Sequence, residues 1–165
     1  MNGRELIFFG VDPGTRATGY GVLSARGNEL RWVDSGVITP PAKAALDEKL
    51  ACIYDGLAAK LADSTPSLVC VEQAFYAKNV RTTLTLGHVR GVALLAARKA
   101  HAPIVEYSPR EIKKSVVGNG NAVKDQVMYM VKVLLSPPRT HVHSDAYDAL
   151  AAALCGFYRY RSPAP

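Results

Sequence analysis

Four carboxylates stand where chemistry can use them. Asp145 and Asp148 are three residues apart in Ser-Asp-Ala-Tyr-Asp-Ala-Leu-Ala, a spacing that puts both side chains on one face of a helix, nearly one above the other. Stability alone argues against a like-charged pair in a stretch otherwise built of alanine and leucine, although the helix dipole offsets part of the repulsion near the N-terminal end. Asp12 closes the apolar run Leu6-Ile7-Phe8-Phe9-Gly10-Val11, and Glu72 closes Leu68-Val69-Cys70-Val71. Both runs read as buried strands, so each acid sits at a strand mouth. If those mouths face the Asp145 helix, four carboxylates converge, and an unscreened pair 4 Å apart costs about 4 kcal/mol at an effective dielectric near 20. A bound cation or protonation removes that cost. All-oxygen donors favour magnesium or manganese over zinc, and two such ions suit phosphodiester cleavage, one activating water and the other stabilising the leaving oxygen.

Each acid also has a structural reading. Asp12-Pro13-Gly14 is a common turn, and Asp145 with Asp148 can serve the start of a helix. Glu72 is more telling, because glutamate is almost never buried without a partner. Phe75, Tyr76, Lys78 and Arg81 follow Glu72 closely, which places rings and positive charge beside the acids, able to stack on bases or wedge between them. The structural alternative is that one ring fills the core between helix and sheet. Lys113, Lys114 and Lys124 flank the turn-rich piece Val116-Val117-Gly118-Asn119-Gly120-Asn121, which reads as an exposed basic loop suited to phosphates. Arg16 and Arg110 add to that charge, though a solvated basic surface explains all of these nearly as well. His141 and His143 precede the acidic helix and can assist protonation or phosphate contact, or simply be solvated.

The elements that must position these groups follow from periodicity. After the first strand, Tyr20–Ser24 and Leu30–Ile38 give two more around the Gly27-Asn28 turn, an antiparallel meander. Leu46, Leu50, Ile53, Leu57 and Leu61 recur at helical spacing and predict an amphipathic helix over one sheet face. The strand ending at Glu72 precedes a helix carrying Leu84, Gly87, His88, Gly91, Leu94 and Leu95, whose glycines suggest close packing or a bend. Pro103–Tyr107 predicts a fifth strand, and Ser108-Pro109 caps a helix. A further helix is expected from near Asn121, and a last one from Ser144 through Phe157. Three antiparallel strands followed by two right-handed crossovers form an α/β domain with a mixed five-stranded sheet and helices on both faces, resembling the ribonuclease-H-like arrangement, with a doubly wound nucleotide fold open on pattern alone.

Composition narrows the function. The chain has 165 residues, one domain's worth, read as a single domain over 1–158 with a basic, flexible tail at 159–165. Hydrophobic residues at 48% exclude a disordered polyelectrolyte. A net charge of +6 and a pI near 9.3 favour an anionic partner. Three cysteines without metal-site spacing predict a reduced, cytoplasmic protein, and no run is long enough for membrane insertion. Neither a dinucleotide fingerprint nor a P-loop is present.

The segments G-V-D-P-G-T-R-A-T-G-Y-G-V (10–22), V-E-Q-A-F-Y-A-K-N (71–79), L-G-H-V-R-G (86–91) and S-D-A-Y-D-A-L-A (144–151) together resemble the RuvC family of Holliday junction resolvases, in order and across essentially the whole chain. The resemblance implies a ribonuclease-H-like homodimer whose two sites nick symmetrically related strands of a four-way DNA junction. It puts the acidic positions on Asp12, Glu72, Asp145 and Asp148, basic positions near DNA on Lys113 and Lys124, and the base-probing aromatic on Phe75. It also implies branch-migration proteins as partners. The expected reaction is hydrolysis with two Mg2+ ions, Mn2+ substituting or preferred, leaving a 5′ phosphate and a 3′ hydroxyl. The glycine-bearing helix Thr82–Lys99 is the candidate dimer face. A catalytically silent branched-DNA-binding protein, a ribonuclease H-type nuclease and a sugar-kinase-like phosphotransferase are the alternatives, the last disfavoured by the chain's shortness.

Overall fold

The computed structural model describes residues 4–73, 79–137 and 143–161. Its elements run β1 (Leu6–Asp12), β2 (Thr18–Arg26), β3 (Glu29–Ile38), α1 (Leu46–Ser64), β4 (Leu68–Glu72), α2 (Val80–Lys99), β5 (Ile104–Tyr107), α3 (Pro109–Val117), α4 (Lys124–Leu135) and α5 (Ser144–Arg161). The strands form one sheet in the order β3-β2-β1-β4-β5. Its first three strands are antiparallel, with Gly27 at φ 62° in the β2–β3 turn, while β4 and β5 run parallel to β1.

Alternation along β1 explains the two-sided core. Phe8 faces a layer formed by α3, α4 and α5, whereas Phe9 and Val11 face α1 and α2. On α1 the buried residues are Ile53, Leu57 and Leu61, as the apolar period predicts. Helix α5 is buried over most of its length, from Ala146 to Phe157, which is why its sequence lacks the polar stripe of a surface helix. Cys70 and Cys155 are buried and free, as expected of small hydrophobes within a strand and a helix.

Several boundaries differ from the sequence reading. Helix α3 includes Val116 and Val117 and closes on Gly118 at φ 83°, a left-handed cap that glycine adopts without penalty. Lys113 and Lys114 are therefore helical, and the loop spans only 118–123. Helix α4 starts at Lys124 rather than near Asn121, because residues 119–122 close a turn, Ala122 N–H donating to the Asn119 carbonyl. At the C-terminus α5 continues through Arg161, so 159–161 are helical. On α2, Gly87 and Gly91 are exposed, and among the described residues a Cβ at either would meet nothing. The expected close packing at those glycines is thus not made by the described residues; the buried side of α2 is Val89, Ala93, Ala96 and Ala97.

Candidate active site

Parallel pairing of β1 with β4 sets Val11 beside Val71, so Asp12 and Glu72 leave adjacent strand ends. Helix α5 brings the other two acids by lying unusually close to β1 and β2. A Cβ on Gly10 would collide with the Ala149 carbonyl, one on Gly19 with the Asp145 carbonyl, and one on Gly21 with Leu150. Gly10 and Gly21 are also paired across the two strands. The glycines clear a track for the helix backbone, which meets it with Ala146, Ala149 and Ala153, all buried.

Oxygens of Asp12, Asp145 and Asp148 consequently lie within 4.8 Å of one another. Glu72 is not in that tight trio but lines the same cleft, about 270 Å³, together with Asp12, Asp148, Lys113 and Lys124. Burial, followed by the charges of Asp148 and Asp145, pushes the Asp12 carboxyl up to about 7. Burial, followed by Asp12 and Asp148, pushes Glu72 up to about 8. Burial is the larger cause of both shifts, and the neighbouring carboxylates add to it against the opposing pull of Lys124.

Among the described residues, Lys124 is the cation closest to the trio. Its Nζ lies 2.6 Å from Asp148 Oδ2 and 3.7 Å from Asp145 Oδ1. Burial pulls its ammonium down, but the Asp148 hydrogen bond and the charges of Asp148, Asp145 and Asp12 outweigh that and hold it above its usual value. The sequence reading placed Lys124 at DNA phosphates; in the structure it reaches into the acids. His143 lies beside them too: its Nδ1 accepts from the Asp145 N–H at 3.3 Å and is 3.4 Å from the Asp145 carboxylate.

Other expected contact residues are spread out. Lys114 and Arg110 are exposed on α3 and do not line the acidic cleft. Arg81 lies instead on a second cleft, about 340 Å³, with Arg16, Lys49 and Thr85 between α1, α2 and the turn after β1. Phe75, Tyr76, Lys78 and His141 lie outside the described residues. Lys49 was not singled out from the sequence, since nothing there separates it from other solvated lysines. The glycine track was missed as well, although glycines alternating inside a strand are a usable sign of close backbone approach.

Comparison with known proteins agrees with this architecture. The model of the RuvC family, crossover junction endodeoxyribonuclease RuvC, matches residues 8–156. The crossover junction endodeoxyribonuclease RuvC of Syntrophotalea carbinolica is 50% identical over 146 residues, 88% of this chain and 90% of that protein. That of Halorhodospira halophila is 46% identical over 154 residues, 93% of this chain and 91% of that one. Among solved structures, Thermus thermophilus RuvC superposes with a TM-score of 0.85 at 28% identity, covering 94% of this chain and 96% of the other. The same organism's RuvC in complex with Holliday junction substrate gives 0.87 at 28% identity, with 94% and 95% covered. The mixed five-stranded sheet is thus the ribonuclease-H-like arrangement expected, and the chain belongs to the RuvC family of crossover junction endodeoxyribonucleases.

Proposed function

We propose that this protein is a metal-dependent endonuclease that resolves four-way DNA junctions by symmetric paired nicks. The observation that carries the reading is the acidic trio, Asp12, Asp145 and Asp148, with oxygens within 4.8 Å of one another on a chain of the RuvC family. The donor set fits a hard divalent cation: it is all oxygen, half-buried, and crowded, so that burial and then the neighbouring acids raise the Asp12 and Glu72 carboxyls. Asp12, Glu72, Asp145 and Asp148 would hold Mg2+, with Mn2+ an acceptable substitute. When bound, a pair of such ions supplies Lewis acidity to the attacking water and the 3′ leaving oxygen, giving a 5′ phosphate and a 3′ hydroxyl.

The chain's own residues bind and orient the DNA. Lys113 lines the acidic cleft, while Arg16, Lys49 and Arg81 line a second one, two basic surfaces open to the DNA backbone. Arg110 and Lys114 extend it over the outer surface of α3 as contacts for more distant phosphates. Phe75, Tyr76 and Lys78, between Glu72 and α2 in the chain, are the candidates for engaging unstacked bases. His143, and His141 before it, are auxiliary groups that position Asp145 or meet a phosphate.

Two cuts need two sites, and a twofold homodimer supplies them. Leu84, Gly87, His88, Gly91 and Leu95 form an exposed face of α2, with Leu84 62% and Leu95 53% accessible, and the glycines there admit a second backbone. This face is the proposed contact between copies. Branch-migration proteins acting on the same junction are the proposed partners. No helix among the described residues is long and apolar enough to cross a membrane, and the three free cysteines suit the cytoplasm.

The test is a mobile synthetic four-way junction, labelled on each strand in turn and incubated with Mg2+ or Mn2+ and with EDTA. Paired, metal-dependent cuts at related positions on opposing strands are expected. Equal cutting of linear duplex or of an RNA–DNA hybrid would make the protein a simple nuclease instead, and an intact junction would make it a binding protein.

A further inference from the structure

The contact between Lys124 and the acidic trio says something about how metal and DNA share the site. Lys124 opens α4, and a cation at a helix N-terminus opposes the helix dipole. What holds the ammonium inward is the pair of carboxylates, Asp148 at 2.6 Å and Asp145 at 3.7 Å. The carboxylates it engages belong to the trio that would ligate an ion, and an ammonium and a divalent cation held on the same two carboxylates repel one another. Its side chain is 54% exposed, so it can leave without unpacking the core.

We infer that Lys124 is a built-in stand-in for the first divalent ion: without metal its ammonium offsets part of the trio's charge, and an arriving ion displaces it toward solvent and the DNA phosphates. This rests on the metal-dependent reading above and adds to it. Lys124 is a positioning residue here. With the trio neutralised by metal, the dipole of α4 and the phosphates both favour the outward position. Metal loading and phosphate binding then draw on one side chain, and by linkage each strengthens the other.

Calorimetric titration with Mn2+, without DNA, should show Lys124→Met binding the ion about tenfold more tightly than wild type, because a competing charge has been removed from a half-exposed site. In wild-type protein, amine-selective labelling read by mass spectrometry should find Lys124 protected in EDTA and labelled faster with Mn2+, other lysines serving as internal controls. Equal or weaker ion binding by Lys124→Met, or Lys124 labelling indifferent to metal, would overturn the inference while leaving the metal site itself intact. If neither protein binds the ion, the metal-dependent reading falls with it. Should Lys124→Met not fold, the wild-type labelling decides alone.

Discussion

The carboxylates at the mouth of β1 and those elsewhere in the molecule are treated differently by the fold. Asp34 accepts from Lys60 Nζ at 2.9 Å, from the Ser35 N–H at 2.8 Å and from the Tyr20 hydroxyl at 3.3 Å. Glu106 takes two hydrogen bonds from Arg90, at 2.5 and 2.8 Å. Glu111 is held below the usual carboxylate range by the Ser108 hydroxyl and N–H, with Arg159 nearby. Each of these acids has its own donors and ties one element to another. At the acidic cleft, Asp12, Glu72 and Asp148 line one cavity with Lys113 and Lys124, Asp145 reaches the same Lys124, and burial with the neighbouring acids pushes Asp12 and Glu72 the other way, to about 7 and about 8. Acids paired one to one hold the fold together, whereas acids in excess of their cations store repulsion that an external cation relieves.

The largest test of that contrast is Asp145→Asn. Cleavage of a four-way junction should fall about a thousandfold or more, as expected when several kcal/mol of metal-based stabilisation is lost, while the variant stays folded and binds the junction. Wild-type cutting rates in Mg2+ would remove Asp145 from the chemistry.

Next in size is the pH dependence of stability without metal. Asp12 and Glu72 ionise near 4 when unfolded but near 7 and 8 in the fold, so between those values the native state holds extra protons. Stability should therefore be fully present below about pH 4 and decline as pH rises toward 8. Asp12→Asn should flatten this decline and raise stability at pH 8 in EDTA by about 1–3 kcal/mol. Thermal melts from pH 4 to 8 check it; a wild-type protein that gains stability over that range would contradict the sign.

The smallest effect belongs to the paired acids. Lys60→Met should cost about 1 kcal/mol or less in chemical denaturation, since Lys60 and Asp34 are partly exposed, and should leave junction cleavage unchanged. A cleavage defect of tenfold or more would show that the two groups of acids are not independent.

Much of the site could be read before folding because its parts are local. Asp12 and Glu72 end runs of buried residues, and Asp145 and Asp148 share a helix face by spacing alone. What was hidden depends on packing between elements distant in the chain. Lys124 reaches Asp148 only because α4 docks beside α5, and no periodicity encodes that. Arg81 turns to the cleft with Arg16 because α2 packs against α1, which its place after Glu72 does not reveal. At Gly87 and Gly91 the sequence leaves close packing, a bend and a contact between copies all open, because a helical glycine says that a backbone can approach, not whose. The start of α4 was misplaced because 119–122 combine turn formers with an alanine, and only the hydrogen bond between Ala122 and Asn119 shows which side of the boundary they occupy.

The glycine track beneath α5 has a consequence for how this protein can change. Since main chain touches main chain along Gly10, Gly19 and Gly21, even a methyl group there would lever Asp145 and Asp148 away from Asp12. The spacing of these carboxylates is thereby set by the packed interior. Change in what this protein prefers must then arise outside that track, around a centre that stays the same.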